Sequence, residues 1–370
     1  MSDPSQATSL KQLLASLTTI KGDLSNITAP PFVLAPKSTT EFPRYWIAYP
    51  SLFVAPAKAS SQEMRMVAVL KWFLASLKGQ QYAGGESIKK PLNAFLGELF
   101  MGECGQGDAL CRLVSEQVSH HPPITACYLW NAPHGVRAQG FAEQEITLTA
   151  GGVEVRQSGH AIVHLDRTGE DYTIPLPNVR VKGILTGSPY PELHGTYDLR
   201  CSNGLVAEIS FSGKKGLLLS RGEKNHVHAR VYRTNEEDKT LFIAEGSWSD
   251  HFEITDEAGN IVDRFSFAEE DEPFSTLPLE EQDPFESRKA WAGVISAIEK
   301  GDMQGVVNEK SKLENAQRKM RGVTGLGEKD WEPLFFTRVS ASEAQGDWQF
   351  DLDRSLKLER PYRGELTPFG

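Results

Sequence analysis

Between Ile124 and Trp248 the chain breaks into short runs of strand-forming residues separated by turn residues, and this repetition constrains the fold more than any other feature. The runs are Ile124 to Trp130, Gly152 to Leu165, Asn178 to Leu185, Leu205 to Phe211, Val227 to Tyr232 and Leu241 to Trp248. Such runs, joined by turns like Asn203-Gly204, predict an antiparallel meander closed into a barrel or sandwich. Helical periodicity lies to either side. Before the meander, Val67, Leu70, Leu74 and Leu77 share one face of a segment that Ser60 or Ser61 can cap. After it, Trp291, Val294, Ile295 and Ile298 do the same, and Asp302 can cap a further helix running through Arg321. The fold class expected is α+β.

Parity along the strands assigns faces. In the run from Val153 to Leu165 every second residue is apolar or small except Gln157, so an amide points inward and must find a partner, in protein, water or a ligand's polar group. His226 and His228 fall opposite Val227, Ala229 and Val231, which reads as a solvent-facing pair rather than a metal site. Phe42, Tyr45, Trp46 and Tyr49 crowd one short segment whose default role is core packing.

A formal charge of −10, from 39 basic and 49 acidic residues, argues against a general nucleic-acid binder, so an anionic partner must meet a local basic patch. Cys104, Cys111, Cys127 and Cys201 form no C-x-x-C pair, as expected of free thiols in a reducing cytosol, and no metal site is expected. No signal-like leader and no run of about 18 apolar residues appears, so neither secretion nor a membrane span is expected.

Four features carry candidate chemistry. The run Glu116-Gln117-Val118-Ser119-His120-His121-Pro122-Pro123 sets two imidazoles beside prolines, either as surface-loop residues or as a rigid, shaped polar site. Lys89-Lys90 before Pro91 reads as a solvated loop unless an anion lies opposite. Lys310, Glu314 and Arg318 stand at i, i+4, i+8, ordinarily a solvated ion-pair ladder. Leu10, Leu13, Leu14, Leu17 and Ile20 make an amphipathic helix, docked on the protein, inserted in a membrane, or both in turn as a movable lid.

Taken together, the Glu116 to Pro123 run, Gly22-Asp23-Leu24-Ser25, Ala29-Pro30-Pro31-Phe32, Lys90-Pro91-Leu92-Asn93, Phe95-Leu96-Gly97-Glu98 and Glu286-Ser287-Arg288-Lys289-Ala290-Trp291 resemble, in order, the oxysterol-binding protein family. The resemblance is closest to short fungal members that lack a pleckstrin-homology domain. It implies a near-complete antiparallel β-barrel around an apolar lipid tunnel, with an N-terminal lid and flanking helices. The expected divisions are a lid over 1-29, a connector and helical region over 30-115, the barrel over 116-280, and a C-terminal helical region and tail over 281-370.

Carried over by motif, the phosphatidylinositol 4-phosphate headgroup would meet Lys90, His120, His121, Lys310, Glu314 and Arg318, with Glu314 orienting its two basic neighbours. A sterol would meet Trp46, Gln81, Tyr82 and Gln157, under a lid carrying Leu24 and Ile27. Where close relatives have an asparagine, this chain has Ala142, which leaves the sterol end short of an amide. The implied activity is non-vesicular exchange of sterol for phosphatidylinositol 4-phosphate by a cytoplasmic monomer that touches membranes, Golgi and endoplasmic reticulum among them, transiently and needs no cofactor. A lipid sensor and a phosphatidylserine exchanger are the alternatives. A hydrolase using His120 or His121 with Glu116 would need motifs that the chain lacks, among them G-x-S-x-G and H-E-x-x-H.

Overall fold

The computed structural model describes residues 33–370 apart from 84, 86–87, 150–151, 184–188, 213–223, 269–270, 324–329 and 340–346. Expectations that fall on the lid, including Leu24 and Ile27, lie outside these residues. The chain runs through β1 (Leu34–Ser38), a 3-10 helix (Thr39–Ile47), α1 (Pro50–Lys58), α2 (Gln62–Tyr82) and β2 (Lys90–Leu92). The strands β3 (Leu99–Cys104), β4 (Cys111–His120), β5 (Pro123–Asn131), β6 (Val136–Thr149), β7 (Gly152–Leu165), β8 (Glu170–Ile174) and β9 (Asn178–Lys182) follow. After them come β10 (Tyr190–Cys201), β11 (Leu205–Ser212), β12 (His226–Arg233), β13 (Phe242–Ser247), β14 (His251–Asp256), β15 (Ile261–Ser266) and β16 (Phe274–Ser275). The C-terminal part holds α3 (Ala292–Glu299), α4 (Met303–Val323), β17 (Phe336–Arg338) and β18 (Trp348–Phe350).

Strands β3 to β16 form one fourteen-stranded sheet ordered β15-β14-β13-β12-β11-β10-β8-β7-β6-β5-β4-β3-β16, with β9 pairing both β7 and β10. Neighbours pair antiparallel, as chain-adjacent strands joined by tight turns must. The Asn203-Gly204 turn between β10 and β11 needs the positive φ of 90° that glycine supplies. Its end strands, β15 and β16, share no ladder among the described residues, so the barrel is nearly complete rather than closed.

Alternation separates the two faces. In β12, Val227, Ala229 and Val231 are buried, while His226 and His228 flank Glu245 on the outside and are half-buried. On the inner side, Leu70, Phe73, Leu74 and Leu77 of α2 join the same apolar cluster as Ala207, Ile209 and Ala229. Ser61 caps this helix by accepting a hydrogen bond from the Met64 N–H at 3.2 Å. On the outer side of β4 to β6, Val114, Val118, Ala126 and Phe141 cluster with Val294, Leu313, Phe335 and Phe336. The C-terminal segment is thus a second layer, and Phe350 stacks on Tyr128 with ring centroids 4.1 Å apart.

A polar hub ties α2 to the barrel. Glu170 accepts hydrogen bonds from Arg65 through both Nε and Nη2, from Asn203 at 3.0 Å and from Tyr172 at 3.1 Å. Burial raises the carboxyl's pKa, but these donors outweigh it and hold it at about 2. Glu170→Ala leaves the part-buried Arg65 unpaired and is expected to cost about 1.5–3 kcal/mol in urea unfolding. Because the folded value is depressed, the contribution of Glu170 is present above the ordinary Glu pKa of about 4.3 and is lost as pH falls toward about 2.

Several strands depart from the sequence expectation. β3, β4, β6, β8, β10, β14, β15 and β16 are absent from the expected runs, and the sheet starts at Leu99 rather than at 116. β6 carries Gln139, Glu143, Gln144 and Glu145, so its faces are not cleanly apolar and polar. Glu116 to His120 is the end of β4, and β5 begins at Pro123.

Candidate functional site

Inner-facing positions of β4 to β7 leave a cavity beside the 3-10 helix. Its wall includes Trp46, Lys90, Gln117, Ala142, Gln144 and Gln157. The register explains why these positions converge: Gln117 pairs with Thr125, Thr125 with Ala142, and Gln144 with Gln157, so alternate residues of adjacent strands share the inner face. Trp46 is held from behind, its carbonyl accepting the Trp72 indole N–H at 2.5 Å.

The polar groups on this wall are ordered. Thr125 Oγ1 donates to Gln117 Oε1 at 2.6 Å, and Gln117 Nε2 donates to the Ser119 carbonyl at 2.8 Å. Gln157 Nε2 donates to the Pro177 carbonyl at 2.6 Å, and Gln144 Nε2 to Gln157 Oε1 at 3.4 Å. The inward amide at 157 therefore finds its partners in the protein.

Beside this wall the two histidines close together. β4 ends at His120, and the turn that follows contains a cis His121-Pro122 peptide. At that turn the two imidazoles meet edge to face, with ring centroids 4.5 Å apart at 61°. His120 Nδ1 sits 3.1 Å from the Ala94 carbonyl, which can only accept, so Nδ1 carries a proton. This bond ties the pair to the segment following Lys90.

On α4, Glu314 lies between Lys310 at 3.4 Å and Arg318 at 3.7 Å. The Lys310 side chain is 13% exposed against 66% for Arg318, so this is not a uniformly solvated ladder. The helix's apolar face, with Val306 and Leu313, joins the cluster of Leu92, Phe95 and Val118, next to the same motif segments.

Two expected sterol contacts lie elsewhere. Tyr82 lines a separate depression with Tyr45, Tyr49 and Phe267. Gln81 is half-buried at the end of α2, while Gln80, one position earlier, is on the cavity wall. One residue on a helix is a rotation of about 100°, so placing a motif on the right helix does not choose the right face. Gln144 was legible in principle, since it stands two residues beyond Ala142 on one strand.

Glu116 has a different task from acid-base chemistry. Its side chain is fully buried on the outer face, opposite the cavity, and its oxygens accept the N–H groups of Leu334 at 2.7 Å and Phe335 at 2.9 Å. Arg363 Nη2 lies 3.9 Å away, and its guanidinium rests on the Trp331 ring. This carboxyl fastens the C-terminal layer to the signature strand, so it is not available as the base of a His-Glu hydrolase.

The fold and site together define a near-complete antiparallel β-barrel with flanking helices, an internal cavity and a histidine pair at the end of one wall strand. The family model for oxysterol-binding protein matches residues 12–294. The chain belongs to the oxysterol-binding protein family. It is 51% identical over 379 residues to a probable transporter, efuK, of Hormonema carpetanum, covering 95% of this chain but 54% of that protein's own length. It is 35% identical to the protein kes1 of Schizosaccharomyces pombe, covering 87% of this chain and 85% of that one. The fold matches the crystal structure of the Osh3 ORD from Saccharomyces cerevisiae in complex with PI(4)P, with a TM-score of 0.73 at 19% identity over 100% of this chain and 96% of that one. It also matches the Osh1 ORD domain in complex with ergosterol, with a TM-score of 0.72 at 20% identity over 95% and 96% of the two chains.

Proposed function

We propose that this protein binds one lipid at a time in the cavity and exchanges a sterol for phosphatidylinositol 4-phosphate between membranes. The observation that carries the reading is the joint wall: Trp46 and the amide of Gln157 line the same cavity as Lys90, while the His120–His121 pair is hydrogen-bonded to the segment that follows Lys90. An apolar lipid body suits the first part of the wall and a phosphomonoester the second. Relatives with this fold, solved with ergosterol and with PI(4)P, support the pairing of ligands.

Burying a few hundred Å² of lipid at ~25 cal/mol per Å² recovers several kcal/mol of the cost of leaving a bilayer, so exchange needs no nucleotide. Lys90, His120, His121, Lys310 and Arg318 are assigned to the phosphate, with Glu314 aligning the α4 pair. Among the described residues no helix is long and apolar enough to cross a membrane, so contact with the donor bilayer is assigned to the surface.

The test is transfer between vesicles of defined composition. Donor vesicles holding phosphatidylinositol 4-phosphate and acceptor vesicles holding ergosterol should show coupled counter-movement, each lipid competing with the other for the protein. Simultaneous binding of both without competition overturns the one-cavity reading. Extraction without net transfer would instead make the protein a sensor.

A further inference from the structure

The residues assigned to the headgroup come from two distant parts of the chain: His120 and His121 at the end of β4, and Lys310 and Arg318 on α4. The C-terminal layer, described over 330–339 and 347–370, is attached to both. On the β4 side its Leu334 and Phe335 N–H groups meet Glu116. Trp331 lies over Gly97, where φ is 80° and any side chain would collide with the indole. The Gly97 N–H donates to the Gln117 carbonyl at 2.9 Å, and Gln117 Nε2 donates to the Ser119 carbonyl, one residue before His120. The layer therefore backs the strand that ends in the histidine pair.

On the α4 side the attachment is a single buried amide. Gln317 is 6% exposed, and its Nε2 donates to the carbonyl of the buried Pro368 at 2.8 Å. Lys310 and Gln317 stand at i and i+7, close to two helical turns, so both lie on the edge where the buried face of α4 meets its charged stripe. Between the two attachments, Tyr362 N–H donates to Asp283 Oδ2 at 2.8 Å and Arg360 Nη2 to Glu286 Oε1 at 3.0 Å, which fixes the layer to the segment ahead of α3. The cavity wall itself is built from other segments.

We infer that the C-terminal layer is a positioning strap for the headgroup site: held on Glu116 and Gly97 at one end and on Gln317 at the other, it sets where Lys310 stands relative to the His120–His121 turn without touching the lipid. The inference rests on the lipid-exchange reading and adds a determinant of its phosphoinositide half. Val306 and Leu313 of α4 also pack with Leu92, Phe95 and Val118, but apolar contact is non-directional and leaves the helix free to slide. A hydrogen bond between buried groups has a direction and a length, so the Gln317–Pro368 bond chooses one placement of α4 among those that the apolar face allows. Gln317 is thus a positioning residue, acting through Lys310.

The experiment measures extraction of phosphatidylinositol 4-phosphate and of ergosterol by the full chain, from phosphatidylcholine vesicles carrying one or the other. Gln317→Met keeps the length of the side chain, removes the donor to Pro368 and brings no charge to the stripe. It should lower affinity for the phosphoinositide about fivefold or more, the lower end of coupling between separate sites, and leave ergosterol uptake unchanged. With Lys310 already alanine the same substitution should have little further effect, whereas general damage to the fold would add to the loss of Lys310. Glu116→Gln, at the other attachment, keeps the shape and one acceptor oxygen and should lower the phosphoinositide-to-ergosterol ratio too, which carries the test if Gln317→Met does not fold. Equal losses of both lipids, or no loss of either, in a folded Gln317→Met or Glu116→Gln overturn the inference and leave the exchange reading standing. Additive losses with Lys310→Ala overturn it as well. Wild type that takes ergosterol but no phosphatidylinositol 4-phosphate overturns the phosphoinositide half of the exchange reading and the inference with it.

Discussion

Alanine at both His120 and His121 is expected to abolish measurable extraction of phosphatidylinositol 4-phosphate while sterol extraction persists. The phosphomonoester carries close to two negative charges, and each charge-assisted hydrogen bond contributes about 1.5–3 kcal/mol. Losing two donors costs about 3–6 kcal/mol, roughly a hundredfold to ten-thousandfold in affinity. The rings sit 4.5 Å apart, and His120 is tied to the carbonyl of the buried Ala94. His121→Ala alone leaves the Ala94 carbonyl satisfied, so comparing it with the double variant separates the loss of one imidazole from the loss of that bond. Vesicle extraction of the two lipids by a folded double variant decides the matter: equal loss of both would give the histidines a structural role only.

Glu116→Ala is expected to undock the C-terminal layer. Two buried backbone N–H groups lose their acceptors and Arg363 loses its counter-charge, a defect that costs about 3–5 kcal/mol. The damage should be local first, read as faster hydrogen exchange at Leu334 and Phe335 and as new protease cuts in residues 330–370. The wild-type docking should also respond to pH. Burial pushes the Glu116 carboxyl up to about 7, against the pull of the Phe335 and Leu334 N–H groups and of Arg363 and Arg354. A raised folded value means this group's contribution is fully present below the ordinary Glu pKa of about 4.3, and it is lost as pH rises through about 7. Exchange at the Leu334 amide, corrected for its intrinsic rate, should therefore grow relative to the core between those values. A flat profile would mean the carboxyl keeps one charge state throughout.

Not all of the site was equally legible. The Lys310, Glu314 and Arg318 stripe follows from helical spacing, and its ion pairs are local contacts that any helix through these residues would make. Gln157 could be turned inward by parity because both its neighbours on that face are small or apolar. β6 hid from the same reasoning, because a strand that lends polar side chains to a cavity on one side and meets a docked segment on the other loses its binary pattern. Gln80 in place of Gln81 is the helical version of that limit, since one residue changes which way a side chain faces.

What the sequence by itself determined about this protein is therefore the local part: antiparallel strands with turns between them, capped helices, an inward amide and a family signature around His120 and His121. Only the tertiary structure decided how these meet. Glu116 and Gln117 are neighbours in the signature, yet one grips the C-terminal layer and the other lines the cavity. Their alternation is a property of the strand, but what stands on each side of it is set by segments more than two hundred residues away. The physical reason is that period-two geometry fixes which side chains share a face, whereas the partners of a buried polar group are chosen by whichever distant backbone donors and acceptors the packed layers bring within reach.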